Sequence, residues 1–295
     1  MVATVFLAPD RRLRSGWRFL LSVGVTLAAL FLGELCASRV ARGSFVLFYA
    51  VSASTGLAAL LLGYGALLNW LDRVPSRPWT AMGLGFQRPW LRQWLVGFGV
   101  GTLLVSAAVL AIRILGTLTF HVTLTRDAIG GTALVLVALA VGALMEEVVF
   151  RGYPFQRLVE GIGAWPATIL VSMAFGLVHL ENPNVSLWGI AGAVLAGVLL
   201  SVAYLRARSL WFPWGIHFGW NAAMGLVFGL PVSGIRPPST IVYGTAGGPP
   251  WLTGGAFGIE ASANAPVAIL AGLFLVSRVF PWPPSQPYVP SRSEP

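Results

Sequence analysis

Long apolar stretches alternate with short polar connections along most of this chain. We place eight candidate membrane spans, near residues 17–37, 45–71, 93–116, 131–158, 163–182, 185–205, 209–230 and 263–281. Each approaches the about 20 mostly apolar residues that an α-helix needs to cross a bilayer. The pattern therefore predicts an all-α fold, a polytopic transmembrane helical bundle with about eight spans.

The composition agrees with a membrane protein. Of the 295 residues, 56% are hydrophobic and 10% are charged, whereas an ordinary soluble domain carries about 25% charged residues. The net charge of +9 comes from 19 arginines, with no lysine. In a membrane protein such arginines flank the spans, so we expect the lipid bilayer as a partner and no nucleic acid. The single cysteine, Cys36, excludes an intrachain disulfide.

Arginines are concentrated in alternate connections, and this distribution predicts the orientation. They lie before the first span, after the second and after the sixth: Arg11, Arg12, Arg14, Arg18, Arg73, Arg77, Arg88, Arg92, Arg206 and Arg208. Because arginines accumulate in cytoplasmic connections, both termini are predicted to be cytoplasmic. Residues 231–262, here called the outer segment, are rich in glycine and proline and should face outward. We expect an integral, multi-pass protein of a bacterial inner (cell) membrane.

The fourth apolar run ends in the sequence Glu146-Glu147-Val-Val-Phe-Arg151. Ionisable groups at membrane depth are costly and are usually paired, buried in the bundle or functional. Glu147 and Arg151 are four residues apart, so they share a helix face and can form an ion pair. Glu146 lies about 100° around the helix and is left free for other work. The alternative is a helix end at the interface, where both glutamates meet water.

Two further apolar runs contain isolated polar side chains. Phe175-x-x-x-His179 supplies the one ionisable group of run 167–180, and His217-x-x-x-Asn221 puts two polar groups on one helix face. Both motifs also have a structural interpretation, either a histidine bonded to a nearby carbonyl or a His–Asn clamp between helices. The third histidine, His121, follows a span and is expected at the surface.

The spacing can bring these polar groups to one depth. If the fourth helix continues unbroken to a turn at residues 161–163 and the next helix returns, Glu146 and His179 lie 16 and 17 residues from Ile162. At about 1.5 Å per residue, both are then roughly 25 Å from the turn. The third motif can reach a similar depth from the connection near residue 207. The sequence is thus compatible with one polar site inside the bundle.

The three motifs, in this order on separate spans, resemble those of the CAAX prenyl protease and bacteriocin-processing (CPBP) family of intramembrane proteases, also called the Abi family. The resemblance covers residues 131–230, which hold spans four to seven and would form the catalytic core. Residues 1–130 then carry spans one to three. Residues 231–295 carry the outer segment, the last span and a cytoplasmic tail. Within the outer segment, residues 254–260 also look like a stretch of bacterial members.

The resemblance implies an intramembrane endopeptidase, a hydrolase acting on peptide bonds. The catalytic set would be Glu146, His179, His217 and Asn221, with Glu147, Arg151 and Phe175 supporting it. In this set Glu146 and His179 would activate a water, and the other pair would donate hydrogen bonds to the oxyanion. The implied substrates are C-termini of prenylated proteins in eukaryotic members, and peptides or membrane proteins in bacterial ones.

The sequence leaves the cofactor and the function class open. The family is often labelled metalloprotease, and Glu146, His179 and His217 have side chains that bind a divalent metal such as zinc. A metal-free mechanism suits the same residues, and no His-Glu-x-x-His sequence is present. The polar groups would also suit a proton-coupled transporter. A non-enzymatic binding, immunity or regulatory protein on the same fold is a further alternative.

The outer segment also has two interpretations. Glu260 is favourable near the positive N-terminal end of the last span, where Ser262 would be the helix cap. In the second interpretation the segment folds back over the bundle as a lid, with Glu260 near the mouth of the site. Such a lid would exclude water and strengthen the electrostatics of the site.

Overall fold

The computed structural model describes residues 5–10, 12–74, 77–87, 89–238 and 240–279. Its helices are α1 (Ser15–Val40), α2 (Phe45–Trp70), α3 (Pro78–Ala81), α4 (Trp90–Leu115), α5 (Arg126–Arg151), α6 (Tyr153–Ile162), α7 (Ala164–Val178), α8 (Leu187–Ala207), α9 (Trp211–Ala222), α10 (Pro250–Thr253) and α11 (Asn264–Val279). Short 3-10 turns follow at His179–Glu181 and Ile259–Ala261, and α9 continues into a π-helix at Ala223–Val227. Arg11, Arg88, the end of the predicted last span and the predicted tail lie outside the described residues.

The predicted all-α transmembrane bundle is confirmed. Within the described ranges, six helical stretches are long and apolar enough to cross a membrane: α1, α2, α4, α5 with α6, α7 with its 3-10 turn, and α8. The seventh and eighth predicted spans are shorter in the same ranges. They correspond to α9 with its π-helix, and to α11.

Hydroxyl side chains cap three of the long helices. Ser44, Thr125 and Ser186 precede α2, α5 and α8, and each side-chain oxygen accepts a hydrogen bond from the backbone N–H three residues later. Such a cap satisfies one of the N–H groups that a helix start leaves without an intrahelical partner. These starts set the depth at which residues farther along each helix lie in the bundle.

The unbroken fourth helix that the depth argument assumed is not present, because the chain leaves the helical conformation at Gly152. There α5 ends, and α6 begins at Tyr153 with Pro154 in its first turn. Proline has no backbone N–H, so Pro154 cannot donate to the carbonyl four residues earlier, and α5 cannot continue regularly through this point. A methyl group on Gly152 would also lie 2.2 Å from the Val148 carbonyl oxygen. The depth of Glu146 is therefore not set by a straight hairpin.

One end of the bundle carries a small sheet that the apolar pattern did not predict. Strand β1 (Thr117–Val122), after α4, pairs antiparallel with β2 (Val242–Gly247) of the outer segment. His121 lies on β1 and is exposed, as expected. Beside the sheet, the Ile241 N–H donates to the Thr132 hydroxyl of α5 at 2.9 Å. The outer segment is thus fixed to the same end of α4 and α5.

A largely buried ionic cluster joins elements at the opposite end, although its Glu160 side chain is 37% exposed. Arg18 of α1 forms ion pairs with Asp72, just after α2, and with Glu160 of α6. Arg157 lies 3.1 Å from the same Asp72 oxygen and 2.8 Å from Glu160. Buried charges are costly unless they are paired, so this cluster ties three helices together. All four residues belong to the end that the arginine distribution predicts to be cytoplasmic.

We expect reporter fusions after Ser209 and after Gly247 to report opposite sides of the membrane. Ser209 contacts the connection before α4, whereas Gly247 lies in the sheet at the other end of the bundle. The fusion after Ser209 should be cytoplasmic, since Arg206 and Arg208 lie beside it. Signals from the same side in both fusions would overturn this topology.

Candidate active site

Four polar residues from three separate elements line one cavity. Glu146 is on α5, His179 is the first residue after α7, and His217 and Asn221 are on α9. The cavity has a volume of about 480 Å³, and its other walls are largely apolar. The structure therefore brings together all four residues that the sequence singled out as the catalytic set.

Glu147 and Arg151 form the predicted ion pair, with Arg151 Nη1 3.1 Å from Glu147 Oε1. Both side chains are completely buried, with 0% exposure. Arg151 also donates to the Gly197 carbonyl oxygen at 2.9 Å, and its guanidinium lies 4.7 Å from the centre of the Phe175 ring. The pair thus fastens α5 to α7 and α8, and Phe175 covers the buried charge.

Glu147 has a second partner that the sequence did not predict. His217 Nδ1 lies 2.8 Å from the same Glu147 Oε1 that receives Arg151. Because an ionised carboxylate only accepts hydrogen bonds, Nδ1 carries the proton in this contact. The other ring nitrogen, Nε2, is thereby turned towards Glu146, with 3.7 Å to Glu146 Oε2. One buried carboxylate therefore positions both an arginine and a site histidine.

His179 is oriented by the backbone of its own helix. Its Nδ1 lies 2.6 Å from the carbonyl oxygen of Phe175, one helical turn earlier. A carbonyl can only accept, so Nδ1 donates and Nε2 is left for the cavity. The Phe175 ring lies 4.9 Å from the His179 ring and 6.0 Å from the His217 ring, measured between centroids. Phe175 therefore packs between the two histidines, which explains why an aromatic residue suits that position.

Glycines let α9 approach α4 closely, and this contact fixes the position of His217. Two pairs with four-residue spacing face each other: Gly97 and Gly101 on α4, and Gly215 and Gly219 on α9. A methyl group on Gly101 would lie 2.1 Å from the Ile216 carbonyl oxygen, and on the other three glycines it would lie 2.3 or 2.4 Å from a backbone oxygen of the facing helix. Small residues at this spacing allow close packing of membrane helices.

We expect Gly101→Ala to destabilise the protein and to displace the third motif. The added methyl must push α9 away from α4, and overpacking of this kind costs about 1–3 kcal/mol. Gly99→Ala on the same helix is the matched control, because nothing lies within 4 Å of its added methyl. Thermal unfolding and cleavage by both purified variants check this prediction. Equal melting temperatures for the two would show that the glycine contact does not hold α9.

The outer segment contributes two polar side chains to the site, beside several apolar ones. Ser233 lines the large cavity and also a smaller recess of about 50 Å³, and Glu260 lines the recess. His179, His217 and Asn221 are shared by both spaces. Burial raises the pKa of Glu260 above its ordinary value, against the hydrogen bonds from Ser233 and the nearby histidines. Of the two interpretations of the segment, this position corresponds to the one that puts Glu260 near the site.

Ser262 sits where the cap interpretation expected it. Its hydroxyl oxygen accepts a hydrogen bond from the Asn264 N–H, at the start of α11, at 3.2 Å. Tyr49 of α2 is a further polar residue of the large cavity that the motifs did not point to. It lies in a largely apolar helix, without an ionisable residue at motif spacing to mark it.

The candidate metal ligands do not form a metal centre in this arrangement. Within the described ranges, no three His, Cys, Asp or Glu side chains are grouped so that they could hold a metal ion. Glu146, His179 and His217 share the cavity, and each histidine has its Nδ1 engaged by a protein oxygen, which leaves Nε2 as the ring nitrogen available to a ligand.

Comparison with known families finds a match over the region that contains the three motifs. Residues 128–223 match the family described as Rce1-like, type II CAAX prenyl endopeptidase Rce1-like. This region is therefore similar to the CAAX protease and bacteriocin-processing (CPBP) family. The matched residues include the whole predicted catalytic set, from Glu146 to Asn221. Together with the apolar helices, the match supports an integral membrane protein with a region similar to a peptidase family.

One curated relative is similar over part of the same chain. It is the "Putative membrane peptidase YdiL" of Bacillus subtilis (strain 168), 28% identical over 88 residues, or 30% of this chain. The matched stretch spans 34% of the relative's own length. No solved structure is a significant match to the chain.

Proposed function

We propose that the protein is an intramembrane endopeptidase that hydrolyses peptide bonds with a water activated by Glu146 and His179. The observation that carries this proposal is the single cavity into which Glu146, His179, His217 and Asn221 all project. A base, a second proton-handling group and two donors are the parts that hydrolysis of an amide requires. The CPBP match over the same residues supports the same reaction class.

In the proposed first step, Glu146 removes a proton from the water as it attacks the carbonyl carbon. Its side chain is 26% exposed and faces the cavity, unlike the fully buried Glu147. His179 would hold the same water through Nε2, since its Nδ1 is occupied by the Phe175 carbonyl. When the tetrahedral intermediate collapses, Glu146 would return its proton to the leaving amine.

His217 and Asn221 would stabilise the oxyanion of that intermediate. They lie four residues apart on α9 and share the cavity with Glu146. Because Nδ1 of His217 donates to Glu147, its Nε2 donates to an oxyanion only when the ring is doubly protonated. The negative charge of Glu147 would stabilise the doubly protonated His217 ring, and this is the role we assign to the buried contact between them. One such donor is worth about 3 kcal/mol of transition-state stabilisation in a water-excluded site.

The cavity walls suit a peptide or a membrane-associated protein as substrate. Leu27 and Leu30 of α1 and Phe45 of α2 form one side, and Ile235 and other residues of the outer segment form another. Apolar walls around a few convergent polar groups are typical of ligand sites. We propose that the enzyme works in a bacterial inner membrane with both termini in the cytoplasm.

The decisive experiment is cleavage of internally quenched peptides by the purified protein in detergent. The proposal expects fluorescence to rise with enzyme concentration and the products to have the mass of one added water. Assays with and without a chelator would report any dependence on a metal. A binding, immunity or regulatory protein, or a transporter, would release no product from any peptide of the set.

A further inference from the structure

A tight turn of the outer segment lies between the large cavity and the smaller recess, and its Ser233 lines both. Val232 and Ile235 bond to each other's backbone in both directions, at 2.8 and 2.9 Å, around Ser233 and Gly234. Both central residues have positive φ, 46° at Ser233 and 85° at Gly234. This is the geometry of a two-residue hairpin turn. Glycine adopts positive φ without steric cost, whereas serine at positive φ is strained. Some other contact must therefore hold Ser233 in place.

Glu260 supplies that contact. Its Oε2 accepts two hydrogen bonds from Ser233, from the backbone N–H at 2.7 Å and from the hydroxyl at 2.8 Å. On the other side, the Asn182 amide donates to the Ser233 carbonyl at 3.0 Å. The turn is thus clasped between Glu260 and a residue that lies three positions after His179.

The backbone that carries Glu260 is itself seated on the bundle. A methyl group on Gly192 of α8 would lie 2.2 Å from the Glu260 carbonyl oxygen, so the 3-10 turn rests directly on that helix. The Gly234 N–H also donates to the Phe257 carbonyl at 2.8 Å. Glu260 is therefore a fixed point from which the Ser233 turn can be held, and Ile235 beyond the turn forms part of the large cavity wall.

We propose that Glu260 is a positioning residue of the peptidase site: by clasping the Ser233 turn, it sets the cavity wall against which the substrate chain binds. This inference rests on the proposed function for its effect on turnover. The carboxylate acts through its two hydrogen bonds to Ser233, and it does not contact the scissile bond. Displacing a substrate-positioning wall by about 1 Å can lower turnover about 100-fold.

The kinetic test compares Glu260→Ala, which removes the clasp, with Glu260→Gln, whose amide oxygen can still accept both bonds. We expect kcat/KM to fall about 100-fold in Glu260→Ala, with a change in KM, and to stay within about threefold in Glu260→Gln. Glu181→Ala is the matched control, an exposed carboxylate at the same end of the bundle. Unchanged kinetics in Glu260→Ala would overturn the proposal. Equal losses in both Glu260 variants would assign the effect to charge and overturn the clasp.

A labelling test does not depend on peptidase activity. Cys36 is the one cysteine of the chain, so Cys36→Ala with Ile235→Cys leaves a single thiol in the cavity wall. We expect a water-soluble maleimide to label it about tenfold faster when Glu260→Ala is added, because the released turn exposes the wall. Ser233→Ala in place of Glu260→Ala removes one of the two bonds and should give a smaller increase, should Glu260→Ala fold poorly. If neither variant changes the labelling rate, the clasp is overturned. If Glu260→Ala speeds labelling but the wild-type protein cleaves no peptide, only the proposed function is overturned.

Discussion

Glu146→Ala is expected to abolish peptide cleavage while expression and folding stay intact. Glu146 faces the cavity and is partly exposed, so its removal leaves no buried charge unpaired. A positioned general base contributes about 10²- to 10⁴-fold to a rate. Turnover of a verified peptide and the thermal midpoint of the purified variant are the two measurements.

His179→Ala should have the same outcome, since both residues are proposed to hold the attacking water. The hydrogen bond that its side chain makes with the Phe175 carbonyl spans a single helical turn, so the substitution breaks no side-chain hydrogen bond to a distant helix. The two substitutions together should therefore lower the rate little more than either alone, because the pair acts as one unit. Full turnover in Glu146→Ala would show that the proposed mechanism is wrong.

Glu147→Gln is expected to lower both the yield of folded protein and the turnover. The neutral amide leaves the fully buried Arg151 guanidinium without its counter-charge. Breaking a buried ion pair from one side costs about 3–5 kcal/mol, a large part of the stability of an ordinary protein. The same change weakens the hydrogen bond that positions His217. Expression level, thermal midpoint and kcat together measure the two effects.

The two roles of Glu147 can be separated by adding Arg151→Met. This second change removes the uncompensated charge, so the double variant should recover stability relative to Glu147→Gln. It should not recover turnover, because His217 still lacks its carboxylate partner. A thermal midpoint equal to wild type in Glu147→Gln alone would contradict the role assigned to the ion pair.

The site residues could be predicted because they are polar exceptions in apolar runs. A bilayer makes such exceptions costly, so Glu146, His179, His217 and Asn221 stand out at the level of sequence. The pairing of Glu147 with Arg151 was also predictable, since a spacing of four residues puts them on one helix face. The break at Gly152 was missed although Pro154 follows two residues later, because the apolar pattern continues across the break.

Other contacts had no local signal. The bond from His217 to Glu147 joins residues 70 positions apart, and the bonds from Ser233 to Glu260 join residues 27 apart. The four-residue spacing of glycines is visible in the sequences of α4 and α9, but it does not predict that these two helices pack against each other. Each of these contacts depends on how whole helices and connections pack.

The sequence by itself determined that this protein is a helical membrane bundle with a small set of polar groups in its spans. It could do so because hydrophobic length and the cost of charge in lipid act on each segment separately. Only the tertiary structure decided which polar groups meet, that one buried glutamate serves both an arginine and a histidine, and that the outer segment enters the site. Those arrangements result from helix packing at glycines, a helix break and a hairpin turn, whose effects on distant residues are set by the assembled fold.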